Sequence, residues 1–247
     1  LLSSYVGGYD EAMKPILILK TGSTFDAMAL EFGDFEDWVI AASGEAPGLF
    51  SVADGVQEEL PPVKQLSGLI ITGSHLMVSD GGPLVELWAQ LVREAVAARL
   101  PVFGICFGHQ LLNYALGGEV GYHPRGLELG QVEIEMAAAA ADDPLFSVLP
   151  ARFQAYATHQ QSVLRLAPTA LVLGGNSFEA HHAVRFASYV WGVQFHPEFT
   201  QPILQAYIRV QRAKLTSDAR MADLLARVES LPEAGLLIRR FCQLASS

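Results

Sequence analysis

The stretch that most constrains this chain runs from Leu100 to Gly118. Leu100-Pro101-Val102-Phe103 reads as a short buried strand, and Leu111, Leu112, Ala115 and Leu116 recur at helical spacing until Gly117-Gly118 stops them. Between the two lies Gly104-Ile105-Cys106-Phe107-Gly108. A buried strand that turns directly into an amphipathic helix is a unit of α/β architecture, because the helix must return its apolar stripe to the sheet. The G-x-C-x-G junction reads as a nucleophile elbow, its glycines permitting a tight, strained turn that pushes the cysteine outward. A helix N-terminus beneath that sulfur favours the thiolate, the reactive form. The pentapeptide alone leaves a second reading open, a structural cysteine packed as a small hydrophobe.

The rest of the first half repeats the same grammar. Ile16-Leu17-Ile18-Leu19 is an apolar run closed by Thr21-Gly22-Ser23, and Leu69-Ile70-Ile71 is another, closed by Thr72-Gly73-Ser74. Continuous apolar runs of this length suit strands covered on both faces. A helix is predicted near 24–32, before the acidic, aromatic segment Phe32 to Trp38. The strongest helix signal follows Pro83, with Leu84, Leu87, Trp88, Leu91, Val92, Ala95 and Val96 on one face. The predicted fold is therefore α/β: a flavodoxin-like, doubly wound, mostly parallel sheet in a three-layer sandwich. Ligands of such sheets gather beyond the carboxyl ends of the strands, where Gly73-Ser74 and Cys106 fall.

The second half predicts antiparallel additions to that sheet. Val132 to Met136 alternates, and apolar runs at 170–173, 183–186 and 190–195 follow without intervening helices. Ala137 to Ala141 reads as a helical turn, and helices are expected near 201–214, 218–229 and 233–245, the last opened by a capping box at Ser230 to Glu233. Residues 1–12 read as an extension or a non-native remnant, and 13–247 as one domain with extra helices from about 201.

Composition narrows the classes of function. With 51% hydrophobic and 17% charged residues the chain can bury a sizeable core. A formal net charge of −10 disfavours non-specific binding to nucleic acid or anionic membrane. No apolar run approaches the roughly 18 residues of a membrane helix. The 2 cysteines, Cys106 and Cys242, lie far apart, which argues against a disulfide framework and fits a reducing cytoplasm. No cofactor is expected. His181-His182 are not taken as a metal site, since adjacent strand residues face opposite ways and no thiolate or carboxylate cluster accompanies them.

A thiol nucleophile needs a base, and the base needs a group to orient it. Gln194-Phe195-His196-Pro197-Glu198-Phe199 supplies both after a strand pattern. In extended backbone i and i+2 share a side, so His196 and Glu198 are expected to face one pocket.

Taken together, Gly104 to Gln110, Thr72-Gly73-Ser74, Thr158-His159-Gln160-Gln161-Ser162-Val163 and Gly192 to Glu198 resemble the motifs of the class I (triad) glutamine amidotransferases, in order and spacing, over about residues 14 to 200. The chain is similar to the glutaminase part of GMP synthase and to stand-alone γ-glutamyl peptidases. The resemblance implies a Cys106-His196-Glu198 triad that hydrolyses the side-chain amide of L-glutamine through a γ-glutamyl thioester. It implies an oxyanion hole from the backbone N–H groups of Gly73 and Phe107. It places Ser74, Gln110, His159, Gln160, Gln161 and Ser162 around the substrate. Many relatives carry an aspartate where this chain has Gln161. The residues after 200 are too few for a synthetase, so the resemblance implies an ammonia-accepting synthetase subunit on another chain. A γ-glutamyl peptide substrate, or a non-catalytic glutamine sensor, are the other readings of the same motifs.

Overall fold

The computed structural model describes residues 14–231 and 233–247, so the reading of residues 1–12 lies outside it. Its strands are β1 (Ile16–Lys20), β2 (Phe50–Asp54), β3 (Gly68–Ile71), β4 (Val102–Ile105), β5 (Glu119–Tyr122), β6 (Glu128–Met136), β7 (Arg152–His159), β8 (Gln161–Arg165), β9 (Leu171–Gly175), β10 (Ala183–Ala187) and β11 (Val190–Val193). The helices are α1 (Asp26–Phe32), α2 (Phe35–Ser43), α3 (Pro83–Ala97), α4 (Phe107–Ala115), α5 (Gln201–Val210), α6 (Asp218–Ala226) and α7 (Leu236–Ala245).

Nine strands form one sheet in the order β2-β1-β3-β4-β11-β10-β9-β6-β7. The first five pair in parallel. Their order is the flavodoxin-like 2-1-3-4-5 arrangement, with β11 as the fifth strand. The remaining four pair antiparallel, as expected from the second half of the sequence. β5 and β8 make a separate two-stranded ribbon.

Alternation along β1 builds the three layers. Ile16 and Ile18 face one apolar cluster with Val39 of α2 and Leu237, Ile238 and Phe241 of α7. Leu17 and Leu19 face the opposite cluster with Trp88 and Val92 of α3 and Leu111 and Leu112 of α4. β1 thus has both faces covered, which is why its sequence is apolar throughout rather than alternating. α7 therefore supplies part of one helical layer. α5 and α6 form a third cluster with Phe35, Trp38 and Tyr156.

Three local readings change. The acidic segment after Phe32 is the start of α2, where Asp34 and Asp37 make a reciprocal capping box. β2 went unread because only Ala53 of its five residues is buried, so it lacks an apolar pattern. α7 opens at Leu236 behind Gly235, without a side-chain cap. The alanine run forms the helical turn expected of it, of 3-10 type, at Ala138–Asp142. Among the described residues no helix is long and apolar enough to cross a membrane.

Candidate active site

Cys106 sits between the end of β4 and the start of α4 with φ 50° and ψ −97°, one of three non-glycine residues at positive φ among those described. The strain of the elbow is thus carried by the cysteine itself. The flanking glycines have another task. A Cβ on Gly104 would lie 2.5 Å from the Gly108 carbonyl carbon, and one on Gly108 would lie 2.4 Å from the Ile71 carbonyl oxygen. They let α4 press onto β3 and β4, which places its first turn directly under the sulfur.

Strand pairing brings the other half of the site to the same place. β4 and β11 run parallel, with Gly104 opposite Gly192 and Ile105 opposite Val193, and Cys106 N–H donates to the Val193 carbonyl at 2.8 Å. Both strands therefore release their next residues at one sheet edge. Gln194 lands beside Cys106, and its Nε2 donates to Sγ at 3.5 Å. Gln110 Nε2 in turn donates to Gln194 Oε1 and to the Gln161 carbonyl, both at 2.9 Å. Two buried glutamines so fix the amide that faces the sulfur.

His196 and Glu198 do share a pocket, but extended backbone is not the reason. The chain has left β11 and turns at Pro197-Glu198. The turn sets His196 Nδ1 at 2.7 Å from Glu198 Oε1, with both residues buried. His196 N–H donates to the Tyr156 carbonyl at 2.8 Å, and its ring stacks on Phe199 with centroids 4.1 Å apart. The opposite nitrogen, Nε2, is buried without a partner. Burial pushes the His196 pKa down, but the Glu198 carboxylate and the Cys106 sulfur outweigh it and raise it to about 10.

The pocket over Cys106 is lined by Phe107, Gln110, His159, Gln160, His196 and Ser74, among others. Gly73 lies against the imidazole, since a Cβ there would come 3.1 Å from His196 Cε1. Phe107 is the first residue of α4, whose opening N–H groups have no intrahelical acceptor. Ser74 Oγ donates to the Thr21 carbonyl at 2.9 Å and accepts from Leu76 N–H at 3.1 Å. With both Nε2 hydrogens of Gln110 committed, its carbonyl oxygen remains for a ligand's donor.

Two expected substrate contacts turn elsewhere. Gln161 exchanges its side-chain amide with Ser79, and Ser162 Oγ donates to Glu179; neither side chain lines the pocket. Conversely, Phe25, Phe35, His75, Tyr207, Gln211 and Lys214 line it without having been singled out. The spacing of Tyr207, Gln211 and Lys214, one helical face, was the available signal. Tyr207 OH lies 2.8 Å from Thr24 Oγ1 and 3.3 Å from His75 Nε2, tying α5 to the loops after β1 and β3.

Comparison with known proteins gives this site its context. Residues 46–209 match the family model for glutamine amidotransferase class-I. The glutamine-hydrolyzing GMP synthase of Aeropyrum pernix is 37% identical over 58% of this chain, a match that spans 28% of that protein's length. Gamma-glutamyl peptidase 5 of Arabidopsis thaliana is 30% identical over 78% of this chain and 75% of its own. A solved glutamine amidotransferase from Thermotoga maritima covers 94% of this chain and 99% of its own at 20% identity, with a TM-score of 0.73. Another, from Methylobacillus flagellatus, covers 94% and 96% at 23% identity with a TM-score of 0.74. Sequence and fold agree, and this chain belongs to the class-I glutamine amidotransferase family.

Proposed function

We propose that this chain hydrolyses the side-chain amide of L-glutamine to glutamate and ammonia, with Cys106, His196 and Glu198 as its triad. The carrying observation is the buried His196-Glu198 pair beside Cys106 at the floor of the pocket. The Cys106 thiolate attacks the γ-carbonyl carbon, and a C–S bond forms as the carbonyl oxygen takes the negative charge. The Gly73 and Phe107 N–H groups hold that oxyanion; removing one such donor costs about 3–4 kcal/mol where it has been tested. The C–N bond then breaks, and His196 gives its proton to the departing ammonia. Water attacks the thioester as His196 takes its proton back, the C–S bond breaks, and glutamate leaves. Glu198 keeps the imidazole in one orientation throughout.

In this reading Gln110 offers its carbonyl oxygen to the substrate's α-amino group, and Gln160 and the His159 backbone meet its α-carboxylate. Gln161 and Ser162 shape that segment from behind rather than by direct contact. We assign residues 13–247 to one catalytic domain and leave the acceptor of the released ammonia unassigned.

A γ-glutamyl peptidase is the second reading, favoured by one observation. The match spans 75% of the Arabidopsis peptidase's own length but 28% of the Aeropyrum GMP synthase's. The same thioester serves, with an amino-acid amine as leaving group. Ammonia release from glutamine is measured against cleavage of γ-glutamyl dipeptides, with Cys106→Ala as control. Faster glutamine turnover supports the first reading. Rapid dipeptide cleavage with negligible ammonia release establishes the second, and activity that survives Cys106→Ala sinks both.

A further inference from the structure

Behind the pocket wall, away from the reacting sulfur, two imidazoles converge on one carboxylate oxygen. Glu128 opens β6 and His159 closes β7, and the two face each other as a cross-strand pair. His182 immediately precedes β10. His159 Nε2 is 2.8 Å and His182 Nε2 3.1 Å from Glu128 Oε2, the two ring planes standing at 87°. All three residues are buried, His182 completely.

The proton inventory of this cluster does not close with neutral rings. His159 Nδ1 lies 2.9 Å from the Gln161 carbonyl, which only accepts, so that nitrogen carries the hydrogen. A neutral His159 then turns the lone pair of Nε2 toward an oxygen that also only accepts. Two lone pairs at 2.8 Å repel unless a cation lies between them. A proton on His159 serves that one contact and leaves the other: His182 Nε2 has no hydrogen bond of acceptable geometry despite its 3.1 Å approach, and Nδ1 has none either. A metal ion serves both nitrogens and the oxygen at once. Its tetrahedral ligands lie about 3.3 Å apart when its bonds are about 2.0 Å long. The two nitrogen–oxygen separations are a few tenths shorter, within what small side-chain rotations open, and all three atoms lie within 4.8 Å of one another.

The surroundings match what a metal site requires. A ligating histidine donates its far N–H to a carbonyl, as His159 does to Gln161, and a ligating carboxylate is held by a further donor. Asn176 Nδ2 donates to Glu128 Oε1 at 3.0 Å, and Asn176 Oδ1 is itself fixed by the N–H groups of Phe178 and Glu179. We propose that Glu128, His159 and His182 form a binding site for a zinc-like divalent cation that braces the wall of the substrate pocket. Two imidazoles and one carboxylate favour such an ion over the oxygen-seeking calcium or magnesium. The site is independent of the proposed reaction, and its test needs no substrate.

Purified protein is stripped with a chelator, dialysed, and titrated with Zn²⁺ and with Co²⁺. We expect about one ion per chain, the intense visible bands of tetrahedral Co²⁺, and a thermal midpoint raised by Zn²⁺. Glu128→Gln and His182→Gln abolish the bands, and Asn176→Ala weakens binding by about 10–100-fold. A wild-type chain that holds no ion after loading, with an unmoved midpoint, overturns the proposal and leaves a shared proton. A folded Glu128→Gln or His182→Gln chain that retains the ion overturns it equally. Should those variants not fold, ring-nitrogen NMR of the wild type decides: the Nε2 resonances of His159 and His182 move on adding Zn²⁺, and unmoved resonances refute the site.

Discussion

Gly108→Ala tests whether close packing at the elbow positions the sulfur. The new Cβ would lie 2.4 Å from the Ile71 carbonyl oxygen and 2.9 Å from Ile71 Cβ. Ordinary contact begins near 3.4 Å, and the opposing atom is β-sheet backbone, so the first turn of α4 must retreat by about 1 Å. Overpacking of this kind costs about 1–3 kcal/mol, offset in part by the roughly 1 kcal/mol that alanine gains over glycine in a helix. The expected net loss is about 0–2 kcal/mol, read as an unchanged or lower urea midpoint. The retreat also carries Cys106 away from His196 and Gln194, and a displacement of about 1 Å in a reacting group costs about 100-fold in rate. Turnover and Cys106 alkylation by iodoacetamide should therefore both fall far more than stability does. Gly48→Ala, whose Cβ meets nothing within 4 Å, is the control and should leave every measurement unchanged. A Gly108→Ala chain with wild-type alkylation and turnover would show that the contact with Ile71 does not set the position of the nucleophile.

The remaining expectations concern the groups around the sulfur. His196→Ala abolishes turnover, whereas Glu198→Gln lowers it less because an amide still orients the ring; near-normal turnover of purified His196→Ala contradicts the assigned base. His196 holds its proton up to about pH 10 in the folded chain against a usual 6.5, so its contribution to stability is complete below about 6.5 and is lost as pH rises through about 10. Urea midpoints of the wild type should fall across that window more than those of His196→Ala, and parallel curves would refute the pairing. Gln194→Leu removes the donor to Sγ, worth about 1 kcal/mol or roughly fivefold in rate. Its alkylation rate should drop accordingly, and an unchanged rate would show that the amide does not act on the sulfur.

Much of the site was legible in the chain because motifs flanking strands carry their own geometry. The apolar runs at 16–19, 69–71 and 102–103 could only be strands covered on both faces, and Cys106 followed one of them into a helix. The reasons behind two correct placements were less legible. Glycines beside a cysteine suggest backbone freedom, yet Gly104 and Gly108 are needed for the atoms opposite them, which no local pattern records. His196 and Glu198 looked like neighbours along a strand and are instead partners across a turn, the same contact by another path. Gln161 and Ser162 share a motif with His159, but the register of β8 points their side chains at Ser79 and Glu179.

Alone, the sequence determined the α/β class, the edge at which residues gather, and the identity of the cysteine, histidine and glutamate there. These depend on hydrophobic periodicity and short-range geometry, which are written within a dozen residues. Tertiary structure decided what meets across long separations. Parallel pairing of β4 with β11 set Gln194 against the sulfur, and α5 with the 3-10 turn after it brought Tyr207, Gln211 and Lys214 over the pocket. Antiparallel pairing of β6 with β7 set Glu128 against His159, and the neighbouring order β10-β9-β6 brought His182 to the same carboxylate. Such contacts follow from strand order and register, and those are settled by the packing of the whole sheet rather than by any segment of it.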